Sequence, residues 1–164
     1  MSHPAPPPVE SSRVFLTGGT GLLGSHIAER LREDGHEVAA LHRPGSDTKF
    51  LSELGCALVE GDLGDDPDRL ARRIEGCRWA VHCAARVYSG ASWSEVEKVN
   101  VGGTRNTLEA SARAGVRHFV HVSSVAVYGR TTAPLDGTAP LDGTMRPGHR
   151  YGRSKRLAEE VAAE

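Results

Sequence analysis

A cluster of glycines between an apolar run and an amphipathic pattern constrains the fold of this chain more than any other feature. Residues 13–17 are a short apolar segment that leads directly into Thr17-Gly-Gly-Thr-Gly-Leu-Leu-Gly24. Apolar residues then recur at helical spacing until Gly35, namely Leu22, Leu23, Ile27, Ala28 and Leu31. A strand, a tight turn and a helix in this order place helix amides at the end of a strand, where they can bind an anion.

The rest of the chain continues to alternate between strand and helix patterns. We predict further strands at 37–41, 56–60, 78–83 and 117–123, and helices at 47–54, 67–74, 92–114 and from Tyr151 onward. This alternation predicts an α/β fold of the Rossmann type, a doubly wound parallel sheet with strand order 3-2-1-4-5. The segment 129–150 is rich in Gly, Pro, Asp and Thr and is predicted to be a surface loop.

Length and composition favour one domain and disfavour two classes of partner. The chain has 164 residues, and its 20 basic and 21 acidic residues give a formal net charge of -1, so we expect no nucleic-acid and no membrane partner. Residues 13–164 are predicted to be one domain after a Pro-rich disordered tail at 1–12. The three cysteines, Cys56, Cys77 and Cys83, have no paired spacing, which favours buried free thiols and a cytoplasmic location.

The glycine cluster is the first predicted part of a cofactor site. It can be read as Gly18-x-x-Gly21-x-x-Gly24 or as Gly19-x-Gly21-x-x-Gly24. Such a pattern alone is often simple turn chemistry, but between a strand and a helix it favours a dinucleotide pyrophosphate. The predicted contacts are Gly18, Gly19, Thr20, Gly21, Leu22, Leu23 and Gly24.

The end of the second strand bears on the choice of cofactor. Dinucleotide folds often have an acidic residue there that binds the ribose hydroxyls, whereas this chain has His42 and Arg43. Arg43 could accept a 2′-phosphate, so we predict that NADP(H) is favoured and NAD(H) possible. The alternative is a solvated loop arginine.

Two further strand ends are predicted to contact the cofactor. Asp62 and Leu63 follow the third strand and would meet the adenine, although an Asp in this context is also typical of a helix cap. Ala84 and Ala85 follow the fourth strand and leave room for a ligand at the carboxyl edge of the sheet. His82 is predicted to be a packed core histidine, because no second ligand at metal-like spacing accompanies it, and we predict no metal site.

Proton-transfer chemistry is predicted from the last helix. Tyr151 and Lys155 lie four residues apart, hence on one helix face, and Ser123 and Ser124 end the fifth strand. Ser124, Tyr151 and Lys155 could converge on one carbonyl: Lys155 lowers the pKa of the phenol, Tyr151 exchanges the proton and Ser124 binds the substrate oxygen. In isolation, Tyr-x-x-x-Lys is more often an ordinary helix with a surface lysine. No Gly-x-Ser-x-Gly elbow surrounds Ser124, which disfavours nucleophilic hydrolysis.

Taken together, these motifs resemble the extended short-chain dehydrogenase/reductase superfamily, in its NAD-dependent epimerase/dehydratase and 3β-hydroxysteroid-dehydrogenase-like branches. The resemblance covers residues 13–164 and rests on six ordered strings, namely Thr17-Gly-Gly-Thr-Gly-Leu-Leu-Gly24, Gly61-Asp-Leu63, His82-Cys-Ala-Ala85, Asn100-Val-Gly-Gly-Thr-Arg-Asn106, Ser123-Ser-Val-Ala-Val-Tyr-Gly129 and Tyr151-Gly-Arg-Ser-Lys155. It implies a catalytic triad of Ser124, Tyr151 and Lys155. It also implies that Asn100 and Ser123 lie at the cofactor, and that Tyr128 and Arg86 face the substrate, although Tyr128 could equally be a packing aromatic.

The resemblance implies hydride transfer at a secondary alcohol or ketone, by an oxidoreductase or an epimerase. The expected partners are a small-molecule alcohol, ketone or sugar nucleotide, and a second copy of the chain through helices 92–114 and 151–164 in a possible homodimer. Family members are about twice as long, so we expect a chain truncated after the fifth strand and the last helix, without the C-terminal substrate lobe. A non-catalytic dinucleotide-binding module or inactive fragment is therefore one alternative, and a nucleotide-sugar dehydratase is another.

Overall fold

The structure, a computed structural model, describes residues 11–87, 90–129, 134–135, 137–139 and 149–164. Its five strands are β1 (Arg13–Thr17), β2 (Glu37–His42), β3 (Ala57–Glu60), β4 (Trp79–His82) and β5 (His118–His121). Its six α-helices are α1 (Leu22–Glu33), α2 (Lys49–Glu53), α3 (Pro67–Ile74), α4 (Trp93–Glu97), α5 (Gly103–Arg113) and α6 (Arg150–Ala163). The strands form one parallel sheet in the order β3-β2-β1-β4-β5, which confirms the predicted Rossmann-type fold and strand order.

The two central strands are apolar on both faces because helices cover the sheet on both sides. Successive residues of β1 alternate between two separate cores, as the period of a strand requires. One core contains Val14, Leu16, Val38 and Ala40 with Ala28 of α1 and Leu51 of α2. The other contains Phe15, Ala39 and Leu41 with Leu70 and Ile74 of α3 and Ala110 of α5. The sheet thus gives a rigid edge from which the loops of the site project.

The predicted single helix over 92–114 is wrong in one respect. A π-helical turn at Lys98–Gly102 separates α4 from α5. A π-helical turn adds a residue to the helix without breaking it, and the apolar pattern of the sequence does not reveal such an insertion. The π-helical turn contains Asn100, a predicted site residue, and buries it to 1% exposure.

The structure also bears on the predicted tail at 1–12 and the predicted loop at 129–150. Ser11 and Ser12, assigned to the tail, are hydrogen-bonded to the turn after α1: Ser11 Oγ donates to the Gly35 carbonyl and Ser12 N to His36 Nδ1. The rest of the predicted tail, 1–10, lies outside the described residues, as does most of the predicted loop 129–150. Just before that loop, a 3₁₀ turn at Val125–Tyr128 follows Ser124.

Candidate active site

A cavity of about 490 Å³ opens at the carboxyl edge of the sheet. It lies where ligands bind in open α/β sheets. The residues that line it come from five strand ends, from the start of α1 and from α6. They are Thr17, Gly18, Thr20–Gly24, Leu41–Arg43, Ser46, Gly61–Leu63, Cys83–Val87, Val99, Val122, Ser123, Tyr151 and Lys155.

Three of the four glycines in the first loop differ in what a side chain would meet there. Gly18 has φ +75°, and a Cβ there would lie 2.7 Å from the Ala84 nitrogen. A Cβ at Gly24 would lie 2.1 Å from the Gly18 carbonyl oxygen. At Gly21 a Cβ would meet only the Gly18 oxygen, at 3.4 Å. The fold itself therefore requires glycine at 18 and 24, whereas a Cβ at position 21 would occupy space on the cavity side.

The first turn of α1 offers unpaired amides to the cavity. Its N-cap residue, Gly21, provides no side-chain cap, and the turn contains no acidic residue. Leu22 and Leu23 on this turn are 83% and 53% exposed. Because helix N-termini carry partial positive charge and free donors, this end of α1 suits a pyrophosphate.

At the end of β2, a tight turn brings a cation to the cavity wall. The Ser46 amide donates to the Arg43 carbonyl at 3.1 Å, and Gly45 supplies the positive φ of +74° that the turn needs. Both Arg43 and Ser46 line the cavity. Asp47 does not line the cavity and accepts a hydrogen bond from the Lys49 amide at the start of α2. Among the described residues at the end of β2, none therefore offers a carboxylate to the ribose hydroxyls of a dinucleotide.

The loop after β3 places Asp62 and Leu63 in the cavity wall. One oxygen of Asp62 accepts the Gly64 amide at 2.8 Å, which forms an Asx turn. The cap of α3 is instead Asp66, which accepts from the Asp68 amide. Neighbouring Asp65 pairs with Arg73; hydrogen bonds from the Asp62 amide and from Arg73 lower its pKa. The helix-cap alternative for Asp62 is therefore wrong.

A chain of buried hydrogen bonds passes through His82. The Ala84 amide donates to Thr17 Oγ1, which lies 2.8 Å from His82 Nδ1, and His82 Nε2 lies 3.1 Å from Thr104 Oγ1. Thr104 uses its one hydroxyl hydrogen to donate to the Asn100 carbonyl, so it must accept the hydrogen of His82 Nε2. Because a neutral imidazole carries only one hydrogen, His82 Nδ1 must accept from the Thr17 hydroxyl. Burial lowers the pKa of His82 to about 3, and His121 and Lys155 act in the same direction. His82 is thus a neutral core histidine, as predicted.

Asn100 joins two walls of the site without lining the cavity. Its Oδ1 accepts the Arg86 amide at 2.6 Å, and its Nδ2 donates to the Arg86 carbonyl at 3.1 Å. Nδ2 also donates to Ser154 Oγ at 2.8 Å, and Ser154 in turn donates to the Tyr151 carbonyl. This side chain connects the loop after β4 to α6, within one turn of the tyrosine.

Tyr151 and Lys155 both face the cavity from α6. Gly152 allows α6 to approach the 3₁₀ turn that follows Ser124, because a Cβ there would lie 2.7 Å from the Ala126 carbonyl oxygen. Ser124 itself caps that turn, accepting the Ala126 amide at 3.2 Å. Within the described part of the chain, the Tyr151 phenol makes no hydrogen bond to Ser124 or Lys155. The Lys155 ammonium donates instead to the Val122 carbonyl at 2.5 Å.

Burial shifts the ionisable groups around this end of the cavity. It lowers the pKa of Lys155 and raises that of the Cys83 thiol to about 11, so Cys83 stays protonated. Ser123 Oγ is buried and has no hydrogen-bond partner among the residues that the structure describes. Since Ser123 also lines the cavity, a polar group of a bound molecule would satisfy this hydroxyl.

Most of the sequence-predicted site residues come together at this cavity, but four do not line it. A Cβ at Gly19 would meet Leu16 and Leu51, and Asn100, Ser124 and Tyr128 are not among the lining residues. The sequence reading missed eight lining residues, namely Thr17, Leu41, Ser46, Gly61, Cys83, Val87, Val99 and Val122. Thr17, Leu41, Cys83 and Val122 end or directly follow strands, so their place at the carboxyl edge could have been inferred.

Comparison with known proteins decides the family. A model of the NAD dependent epimerase/dehydratase family matches residues 14–164. The chain belongs to this family. The matched residues include the glycine loop, the end of β5 with Ser123, and the Tyr-x-x-x-Lys helix of this chain, all of which contribute residues to the cavity.

Three family relatives illustrate the range of chemistry. A sterol-4-alpha-carboxylate 3-dehydrogenase (decarboxylating) of Dictyostelium discoideum is 37% identical over 70% of this chain and 36% of the relative. A 3 beta-hydroxysteroid dehydrogenase/Delta 5-->4-isomerase of Mycobacterium tuberculosis is 35% identical over 92% of this chain and 42% of the relative. The crystal structure of UDP-glucose-4-epimerase from Stenotrophomonas maltophila with bound NAD and formylated UDP-arabinopyranose gives a TM-score of 0.82 at 29% identity, covering 93% of this chain and 48% of that one.

The three relatives just described are longer than this chain, and each is named as an enzyme. This chain spans less than half the length of the curated relatives just described. No helix among the described residues is long and apolar enough to cross a membrane. The described residues also contain no group of side chains suited to hold a metal ion.

Proposed function

We propose that this chain is the nucleotide-binding and proton-transfer part of an NAD(P)-dependent oxidoreductase or epimerase that acts at a secondary alcohol or ketone. The observation that carries the proposal is one cavity lined both by the uncapped start of α1 at Gly21 and by Tyr151 with Lys155. The first feature suits a pyrophosphate and the second suits a proton transfer at a hydroxyl. The pyrophosphate lies in the middle of a dinucleotide and the reacting substrate lies next to its nicotinamide end, so one bound dinucleotide would connect the two features.

The residues of the chain would divide the work as follows. The amides of α1 hold the pyrophosphate, Asp62 and Leu63 meet the adenine, and Ser123 offers its unpaired hydroxyl. Tyr151 exchanges a proton with the substrate hydroxyl, and the buried Lys155 ammonium brings a positive charge to the same cavity. Ser124 accepts the Ala126 amide next to the cavity lining, and we propose that its hydroxyl hydrogen is donated to the substrate oxygen. The bound cofactor supplies the hydride chemistry.

We propose Tyr151 as the acid/base, with Tyr151→Phe as its test. Removing the phenolic hydroxyl should lower kcat by about 100-fold or more in the protein that carries this chain, since a positioned acid/base contributes about 10² to 10⁴. NADPH affinity should stay within a few-fold, because the ring remains. The assay uses a panel of ketones and secondary alcohols together with one UDP-sugar. Turnover that persists in the variant would remove the phenol from the mechanism.

We propose NADP(H) as the preferred cofactor, on the position of Arg43. This guanidinium stands at the end of β2, beside Ser46 in the cavity wall, and forms no ion pair with a carboxylate among the residues that the structure describes. Charge-assisted bonds to a 2′-phosphate contribute about 1.5–3 kcal/mol, so Arg43→Ala should lower the ratio of NADPH to NADH affinity at least about tenfold. The matched control is Arg69→Ala, a surface arginine of α3 that pairs with Asp65. An unchanged ratio would contradict the assignment.

Two alternatives differ from the proposal in measurable ways. A non-catalytic dinucleotide-binding module would bind NADPH and show no turnover across the substrate panel. A nucleotide-sugar dehydratase is less favoured, because Val125 and Ala126 supply no acid next to Ser124. It would convert a nucleotide sugar to a product that has lost water, whereas an epimerase gives an isomer of its substrate and an oxidoreductase changes the redox state of the cofactor. Pairing of two copies through 92–114 and 151–164 remains a prediction, which sedimentation velocity would test.

A further inference from the structure

The Lys155 ammonium has two acceptors at the end of β5. Nζ lies 2.5 Å from the Val122 carbonyl oxygen and 3.3 Å from His121 Nε2. The side chain is 2% exposed. Two of its three hydrogens are therefore engaged by neighbouring residues of one strand end, and the same side chain also lines the cavity.

The contact fixes the protonation of His121. An ammonium can only donate, so His121 Nε2 must accept, and the imidazole is neutral with its hydrogen on Nδ1. Burial and the charge of Lys155 lower the pKa of His121 to about 4. From β4, the His82 ring stacks on His121 at 5.6 Å, and it is neutral as well. Glu159 of α6 and Cys83 after β4 act on Lys155 and oppose the effect of burial on its pKa.

His121 contributes little else to its surroundings. Its Nδ1 is buried, with no hydrogen-bond partner among the residues described. Phenylalanine would fill the same space without leaving a buried donor unpaired. What a histidine adds at this position is the Nε2 lone pair, and that lone pair points at Lys155.

We propose that His121 is a positioning residue for Lys155. His121 and the Val122 carbonyl together accept two of the ammonium hydrogens, and the third remains available to the cavity, which Tyr151 also lines. The inference rests on the proposed function for its catalytic meaning, although the contact itself does not. A carboxylate in place of His121 would neutralise the charge of Lys155. A neutral acceptor orients the ammonium and leaves its charge available to the Tyr151 phenol.

The contact can be tested in the cofactor-free chain by following the Lys155 pKa with NMR in lysine-labelled protein. A hydrogen bond to the charged form of a group stabilises that form, so His121→Phe should lower the Lys155 pKa by about one pH unit. His121→Gln, which restores an acceptor, should return it towards the wild-type value. His118→Phe is the matched control, since His118 lies on the same strand but stacks on Trp79 at 4.6 Å. Equal Lys155 pKa values in the wild type and His121→Phe would overturn the proposal.

The catalytic consequence has a separate readout. In His121→Phe, kcat should fall about tenfold and the pH at which kcat rises should shift, while KM changes little. His121→Gln should recover most of the lost kcat. Loss of rate with no shift of the pH profile, or no rescue by Gln, would contradict a positioning role. If the wild-type chain binds no dinucleotide, the proposed function fails, whereas the Lys155 titration still decides the contact.

A measurement on the wild type covers the case in which the Phe variant does not fold. Two-bond ¹H–¹⁵N correlation spectra at pH 7 distinguish the tautomers of a histidine ring. His121 should carry its hydrogen on Nδ1, opposite to the Nε2–H form of His82. A hydrogen on Nε2 of His121, or a doubly protonated ring, would overturn the proposal.

Discussion

Gly18 and Gly21 stand in the same loop, yet the molecule requires glycine at them for different reasons. At Gly18, positive φ and contact with the Ala84 backbone combine. We therefore expect Gly18→Ala to lower the free energy of unfolding by at least about 2 kcal/mol. Gly21→Ala should leave stability within about 1 kcal/mol and weaken NADPH binding at least about tenfold, because its Cβ would occupy the space of the pyrophosphate. Urea denaturation and fluorescence titration measure the two effects.

Gly35 provides the control for this comparison. It also has positive φ, +82°, but a Cβ there would meet nothing within 4 Å. Gly35→Ala therefore measures the backbone cost alone, which we expect to be about 1 kcal/mol. Equal losses for Gly18→Ala and Gly35→Ala would show that the contact with Ala84 is not important. Unchanged NADPH affinity in Gly21→Ala would contradict the phosphate assignment of this loop.

At the scale of elements, the π-helical turn at Lys98–Gly102 couples the two walls of the site through Asn100. Replacing Asn100 with Ala leaves the Arg86 amide, the Arg86 carbonyl and Ser154 without their partner. Since each unsatisfied buried group costs about 1–3 kcal/mol, we expect Asn100→Ala to lower the free energy of unfolding by about 3 kcal/mol. Hydrogen exchange should accelerate at the Arg86 amide and in the first turn of α6.

Asn106→Ala separates this coupling from general destabilisation. Asn106 is the next asparagine along the chain and donates to the Leu63 and Asp65 carbonyls in the loop after β3. Its replacement should destabilise the chain, while exchange at the Arg86 amide keeps its wild-type rate relative to global unfolding. Similar exchange patterns in both variants would mean that Asn100 does not connect the loop after β4 to α6.

The elements also show how far the sequence could predict the structure. Strand positions and order followed from apolar runs that alternate with helical patterns, and the glycine loop and the Tyr-x-x-x-Lys helix fell at the cavity. The resemblance assigned Asn100 to the site, but its hydrogen bonds to Arg86 and Ser154 could not be predicted, because they depend on a π-helical turn that the spacing of apolar residues does not encode. The contact between His121 and Lys155 could not be predicted either, because it forms only when α6 packs against the end of β5.

At the scale of the whole molecule, the buried His82 and the half-buried His121 make stability depend on pH. The pKa values of His82 and His121 lie at about 3 and about 4 in the fold, against 6.5 ordinarily. Between these values and 6.5 the unfolded chain binds more protons than the folded one, so stability is complete above about pH 6.5 and falls as the pH decreases. Asp65 acts in the same direction, but only near and below its ordinary pKa of 3.8.

We expect the free energy of unfolding to fall by about 1.4 kcal/mol per pH unit for each histidine between pH 6 and pH 4.5. Urea denaturation at pH 7.5, 6, 5 and 4.5 measures this slope. In His121→Gln the slope should be about half that of the wild type, because His82 alone remains. A wild-type slope near zero in this range would mean that the two rings are protonated in the fold. That result would contradict the neutral hydrogen-bonded chain from Ala84 through Thr17 and His82 to Asn100.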